Sequence, residues 1–350
     1  LITDVFYRRY PNLQVIGIVD QRVRAFVFQA FRLITHDLWL NGEGAIRYEE
    51  RNKALQAAHD RLALELGTNE LVKRHFAIRN VPGRTVGSKA WDTVYTEFMN
   101  IHPSQQQGPN NWLAERLSLV EQVLASFADF KRDYDESYER RLHAAVLSDK
   151  KVQEERAIYI DILEAPVLRV DRVKVDHVLQ QTVDELNERF SINRIPLEYH
   201  NGLIQAVHNP LLSQQVSKPF WAIVSDPMWG NVDTDMKKAL DTRDAGLPDA
   251  HFAALKALES VVKIISDAKG RSIGTENGAA AYVSNLVRQV DGVRFIDVWE
   301  SDMLVNLFSK VRNPFGHGAG NKPMPLLSAQ QTDWAINEAM NWIVSLIKRM

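Results

Sequence analysis

The chain has 350 residues, 45% of them hydrophobic and 25% charged, which is enough apolar material for two or three packed cores and excludes a disordered or collagen-like chain. Its 42 Lys and Arg against 44 Asp and Glu give a net charge of −2, so attraction to nucleic acid or to an anionic membrane has to come from a local site. With no cysteine there is no disulfide, thiolate metal site, iron–sulfur cluster or cysteine nucleophile, and the composition agrees with a cytoplasmic protein.

In chain order, Val23, Phe26, Val27, Ala30, Phe31 and Ile34 recur at helical spacing before Asn41-Gly42 stops the run. A second helix is predicted over 54–66, ended by Gly67. Pro82-Gly83 and Gly87-Ser88 mark turns within 78–89, and 102–111, rich in Gln with two Pro, reads as a loop. Then comes the longest periodic run, 111–147. Leu113, Leu117, Val120, Leu124, Phe127, Phe130, Tyr134, Tyr138 and Leu142 step by three and four, which predicts a long amphipathic helix with a solvated charged face.

The alternation of Val167, Val173 and Val175 with charged residues predicts a strand over 167–175, followed by a helix over 176–190. A hairpin is predicted over 196–207, with Asn201-Gly202 supplying a type I′ turn. Four helices follow, over 250–269, 278–290, 295–312 and 328–349. Ile296, Trp299, Met303, Leu304, Leu307 and Val311 define the expected apolar face of the third, and Ile336, Ala339, Met340, Ile343 and Ile347 that of the fourth. The expected fold is mainly α with a small α+β insert and a C-terminal helical bundle, divided as 1–150, 151–215 and 216–350. No window approaches the ~20 apolar residues of a bilayer helix, so no membrane association is expected.

The chemistry concentrates in Lys310-Val-Arg-Asn-Pro-Phe-Gly-His-Gly-Ala-Gly320. In an unbroken helix His317, five residues after Arg312, would face roughly 140° away from it. Pro314 disfavours helical geometry at Asn313, and three glycines permit left-handed turns, so the chain can fold His317 back beside Arg312. A fixed cation beside a group that titrates near neutrality suits a phosphodiester: Arg312 grips a non-bridging oxygen and His317 moves a proton. With no carboxylate–histidine cluster nearby, no metal or other cofactor is expected, and the metal-free route is attack by an RNA 2′-hydroxyl on its own phosphate. Taken alone, a glycine-rich turn with an Arg and a His is more often a helix cap.

Around this motif, Glu300 falls on the apolar face of its helix, where a carboxylate needs a partner, and Lys263 or Arg312 are the candidates. Glu259 lies three residues after Lys256 and four before Lys263, which ordinary helix-surface ion pairs explain. Asp333 and Trp334 read as a charge at a helix start and a core anchor.

The segment Val311 to Gly320, at the end of the penultimate helix of a C-terminal bundle, resembles the signature of HEPN ribonucleases, in which Arg-Asn is followed after three or four residues by His-Gly. Ala254 to Ile265 is similar to that family's first helix. Toward the N-terminus, Ile2-Thr-Asp-Val-Phe-Tyr-Arg-Arg-Tyr10 and Arg24-Ala-Phe-Val-Phe-Gln-Ala-Phe-Arg-Leu33 resemble the amino-terminal domain of AbiJ-type abortive infection proteins, and Val216 to Pro227 is similar to the stretch leading into their HEPN bundle. The resemblance implies a metal-independent endoribonuclease in anti-phage defence. Arg312 and His317 would be the catalytic pair, with Asn313, Glu300, Glu259 and Lys263 in support. It implies RNA as substrate, a homodimer through the C-terminal bundle, and a phage-derived trigger or inhibitory partner acting through the N-terminal region. The alternative is a non-catalytic dimerisation module that binds RNA or nucleotides. Pro314-Phe315 departs from the polar fillers common in the family.

Overall fold

A computed structural model of the chain describes residues 5–77, 86–103, 108–155, 164–312 and 326–350, the side chains of 77, 86, 139, 141–155, 164–170 and 210 excepted. The chain divides into two compact units, Thr3–Ile204 and Gln205–Met350. Helix dominates both, with strands confined to two small two-stranded sheets.

The first unit is built around one long helix. After α1 (Phe6–Arg9), Asp20 caps α2 (Gln21–Thr35) by accepting a hydrogen bond from the Val23 N–H at 2.8 Å. Then follow α3 (Tyr48–Glu65), an antiparallel pair β1 (His75–Ala77) and β2 (Val86–Ser88), and α4 (Trp91–Asn100). Helix α5 (Pro109–Glu155) starts inside the stretch expected to be a loop, because Pro109 is pre-set for a first helical turn and Gly108 takes the positive φ before it. Trp112, Leu113, Leu117, Val120, Leu124 and Phe127 of α5 are buried against α1, α2, α3 and the next helix, α6 (Glu164–Ile192). Arg116 of α5 is buried too, donating to the carbonyls of Trp112 and Phe98 and lying over both rings; burial lowers its pKa to about 10.

The strand expected over 167–175 is instead part of α6. Val175, Val178, Thr182, Leu186 and Phe190 are buried at steps of three and four, whereas Val173, in phase with the alternation, is 56% exposed. The longer 3.6-residue period, satisfied by packing on α5, overrides a short alternating stretch. The hairpin forms as expected from β3 (Leu197–His200) and β4 (Leu203–Ala206), with both turn residues left-handed, Asn201 at φ +42° and Gly202 at φ +93°.

The second unit is a helical bundle. A short helix α7 (Pro210–Leu212) runs through a π-turn into α8 (Lys218–Ile223). Then come α9 (Gly230–Asp244), α10 (Ala250–Ala268), α11 (Ala279–Val287), α12 (Val298–Asn306) and α13 (Ala329–Ile347). Helix α10 is the central element, packed against α9, α11 and α13. Its Leu255, Leu258, Val261, Val262 and Ile265 are fully buried, each worth roughly 1.5–3 kcal/mol relative to exposure. A capping box of Ser328 and Gln331 starts α13.

Two expectations about apolar faces fail here. Ile296, Leu304, Leu307 and Phe308 face the core, but Trp299 is 60% and Met303 48% exposed, so the buried stripe is narrower than the sequence pattern. Trp334 is 53% exposed rather than a core anchor: α13 turns Ile336, Ala339, Met340 and Ile343 inward, which leaves position 334 outside. Among the described residues no helix is long and apolar enough to cross a membrane.

Candidate functional site

Helix α12 does not end at Asn306 but widens into a π-helical turn, Leu307–Arg312. Single π-turns re-aim the residues that follow and recur at functional sites. Here Leu307 and Phe308 stay in the core, and Arg312, last in the turn, reaches α10. Its Nη2 lies 2.6 Å from Oε2 of Glu259, and its guanidinium carbon sits 5.1 Å from the centroid of the Phe252 ring. Two neighbours about two turns apart on α10 thus fix the guanidinium, one by charge and one by its ring face.

Glu259 uses its other oxygen for Lys263, 2.8 Å away, and Lys263 lies over the Tyr282 ring of α11 at 5.5 Å from the centroid. The cluster is therefore two cations and one carboxylate, with Glu259 largely buried, Arg312 partly so and Lys263 more open. Among the described residues the Nε of Arg312 is buried with no hydrogen-bond partner. The cluster carries a surplus positive charge, and its partial burial strengthens the attraction for an anion relative to open water.

The sequence reading of Glu259 as a helix-surface carboxylate needs correcting. It is 7% exposed, and Lys256, one of its two expected partners, bonds instead to Asp235 of α9 at 2.9 Å. The usable signal lay in α10 itself, where apolar residues on nearly every side mark a central helix on which a carboxylate must be paired. Phe252 and Tyr282 were not anticipated, because only tertiary packing brings them to the cations.

Glu300 joins a different group. Rather than Lys263 or Arg312, its partners are Arg349, 2.7 Å away, and the Asp297 N–H, which donates to it at 2.8 Å. It closes the first turn of α12 and ties it to the end of the chain, a helix-capping role. Asp333 lies 3.7 Å from Arg243 of α9. Asn313 and His317 lie outside the described residues. Among the described residues no group of three His, Asp or Glu side chains is placed to hold a metal ion.

Residues 4–222 match the family model of AbiJ N-terminal domain 4. No curated protein matches the chain, and no solved structure does. The matched region takes in every element of the first unit and continues into α8, well over half of the chain. The AbiJ domain suggests a part in abortive infection defence, and the chain belongs to the AbiJ N-terminal domain 4 family.

Proposed function

We propose that the chain is a metal-independent endoribonuclease of the HEPN class that acts in abortive infection against phage. The observation that carries this reading is Arg312, held by Glu259 and Phe252 beside Lys263, immediately ahead of the Asn313 to His317 motif. Arg312 binds a non-bridging phosphate oxygen and stabilises the charge that grows on it during attack. Lys263 adds a second positive charge, and Glu259 is a positioning residue. In the reaction the 2′-hydroxyl loses its proton as its oxygen bonds to phosphorus, the bond from phosphorus to the 5′-oxygen breaks, and that oxygen takes up a proton. The products are a 2′,3′-cyclic phosphate and a 5′-hydroxyl. His317 is the group assigned to proton transfer, and Asn313 either binds the phosphate or caps the helix.

RNA as substrate places this action in the cytoplasm. A homodimer through the C-terminal bundle brings two copies of the motif into one site. The outward Trp299 and Met303, lining a groove of about 280 Å³ with Trp342 and Arg349, offer the bundle apolar surface for such an interface. The AbiJ unit is then the region on which a phage trigger or an inhibitory partner acts.

The test is incubation of the purified full chain with total RNA and with DNA in the presence of a chelator. RNA-only cleavage leaving cyclic phosphate is expected, reduced at least ~100-fold in Arg312→Ala and lost in His317→Ala. Cleavage that survives both substitutions, or that chelator abolishes, overturns the assignment. RNA binding with no cleavage by the chain in infected cells or in vitro establishes the non-catalytic module instead.

A further inference from the structure

A cavity of about 560 Å³ lies between the end of α9, the start of α10 and the approach to α13. That volume lies in the range of small-molecule sites. Arg243 is its most prominent cation, but it is already engaged, 2.7 Å from Asp244 and 3.7 Å from Asp333. Asp244, its side chain 2% exposed, also receives His208 at 3.0 Å. Asp249 is also in its lining, which therefore holds three carboxylates to one arginine beside His208 and His251, a balance that disfavours phosphate and favours a ligand that donates hydrogen bonds. The rest of its lining mixes His208, His251 and Thr332 with aliphatic residues, of which Leu247 and Leu326 are respectively 49% and 74% exposed and offer surface that a flat ring can cover.

We propose that this cavity binds a single nucleobase, with guanine preferred, as the base-reading subsite for RNA cut at the Arg312 cluster. A nucleobase has the two properties the cavity asks for, apolar faces and a polar edge. Guanine alone presents two adjacent N–H groups on that edge, which meet one carboxylate as a fork does. Adenine and cytosine set an amino group beside an acceptor nitrogen, and uracil flanks its N–H with two carbonyls. Unstacked bases read in this way are the usual handle for sequence-selective recognition of single-stranded RNA. The cavity also adjoins the cations. His251 on its wall directly precedes Phe252, whose ring lies under Arg312, so the cavity begins one residue from the ring that holds one face of the phosphate-binding arginine. A phosphate-repelling pocket next to a phosphate-binding cluster also fixes which part of a nucleotide goes where.

This proposal rests on the ribonuclease reading, and two measurements separate their fates. The first is calorimetric titration of the full-length Arg312→Ala chain with guanosine, adenosine, cytidine and uridine. Guanosine is expected to bind best, with affinity reduced at least about tenfold by Asp249→Asn or Asp333→Asn, the loss of a hydrogen bond to a charged acceptor, and abolished by Ala329→Trp, which fills the cavity from the first turn of α13. Asparagine tolerates the left-handed backbone at position 249, φ +73°, so that substitution preserves the turn. The second is a map of cleavage sites for the unaltered chain and for Asp249→Asn and Ala329→Trp. A guanine preference beside the cut bond is expected to vanish in both variants, while cleavage of RNA lacking guanine is unchanged. Cleavage with the same map in all three proteins, or no nucleoside binding, overturns the base site and leaves the nuclease. Guanosine binding that Ala329→Trp abolishes, in a chain that cuts no RNA, overturns the role in RNA cleavage and leaves a free-nucleoside site.

Discussion

Each unit of the protein buries an Arg–Glu pair, and the two pairs are finished differently. In the first unit Arg9 and Glu121 have side chains 1% exposed. Arg9 Nη1 donates to one carboxylate oxygen at 3.0 Å, the Ile204 N–H donates to the other at 2.6 Å, and Arg9 also donates to the Ile204 carbonyl at 3.0 Å. The pair ties α1, α5 and β4 together and offers nothing to a ligand. In the second unit Arg312 and Glu259 are less buried, and a second cation, Lys263, shares the carboxylate. The same two side chains serve as a closed staple in one place and as an open, charge-surplus cluster in the other. What separates them is depth of burial, the second cation on Glu259, and the Ile204 backbone groups that bond to both members of the first pair.

Removing half of the closed staple is expected to have the largest effect. Glu121→Ala leaves a guanidinium buried without its carboxylate and should cost about 3–5 kcal/mol, read as a lower urea midpoint of the first unit. Replacing both partners, Arg9→Met with Glu121→Leu, should recover most of that loss, because no buried charge is left behind. If the single and double variants are equally destabilised, the pair is not the closed unit described.

The open cluster should respond in activity. Arg312→Lys keeps the charge but loses the planar fork, so RNA cleavage should fall roughly 100-fold, the scale of one lost transition-state donor, with the urea midpoint nearly unchanged. Glu259→Gln should act more weakly and in a split manner. Turnover falls about tenfold as Arg312 loses its charged anchor, while RNA binds more tightly and with a steeper salt dependence because the cluster gains net positive charge. A purely structural Glu259 would move stability and leave turnover and binding coupled.

How much of this was legible in the sequence follows from range. Elements specified by local chemistry came through: the Asn201-Gly202 hairpin, the long period of α5, and the helices of the bundle. Arg312 was singled out because Pro314 and the glycines announce a broken helix. Glu259 and Lys263 were named in support through the family resemblance alone, while Phe252 and Tyr282, 60 and 30 residues before Arg312 in the chain, were not anticipated, since only packing on α10 brings their rings to Arg312 and Lys263. Val173 misled because two neighbouring valines mimic a two-residue period inside a helix, and Trp299 and Trp334 misled because bulk alone does not tell which side of an amphipathic helix faces a neighbour. The α9–α13 cavity has no linear signature, its walls coming from three separate stretches of chain.

The smallest expected effect sharpens the comparison through pH. Burial, against a weaker opposing influence of Asp249, holds the His251 imidazole below its ordinary pKa of 6.5. The unfolded chain therefore binds more protons than the folded one between the folded pKa and about 6.5, and stability of the second unit rises with pH across that window and is lost as pH falls through it. Glu121 has the opposite sign. Burial, outweighing Arg9, raises its carboxyl above the ordinary 4.5, so the folded state binds the extra proton and the contribution to stability is greatest on the acid side, declining as pH rises through the folded pKa. Urea midpoints of the two units, followed in mild acid by hydrogen exchange, should shift in opposite directions as pH is raised. His251→Asn should flatten the dependence of the second unit and leave that of the first in place. Parallel shifts, or a second unit indifferent to His251, would mean that burial does not hold the imidazole and the Glu121 carboxyl toward their neutral forms.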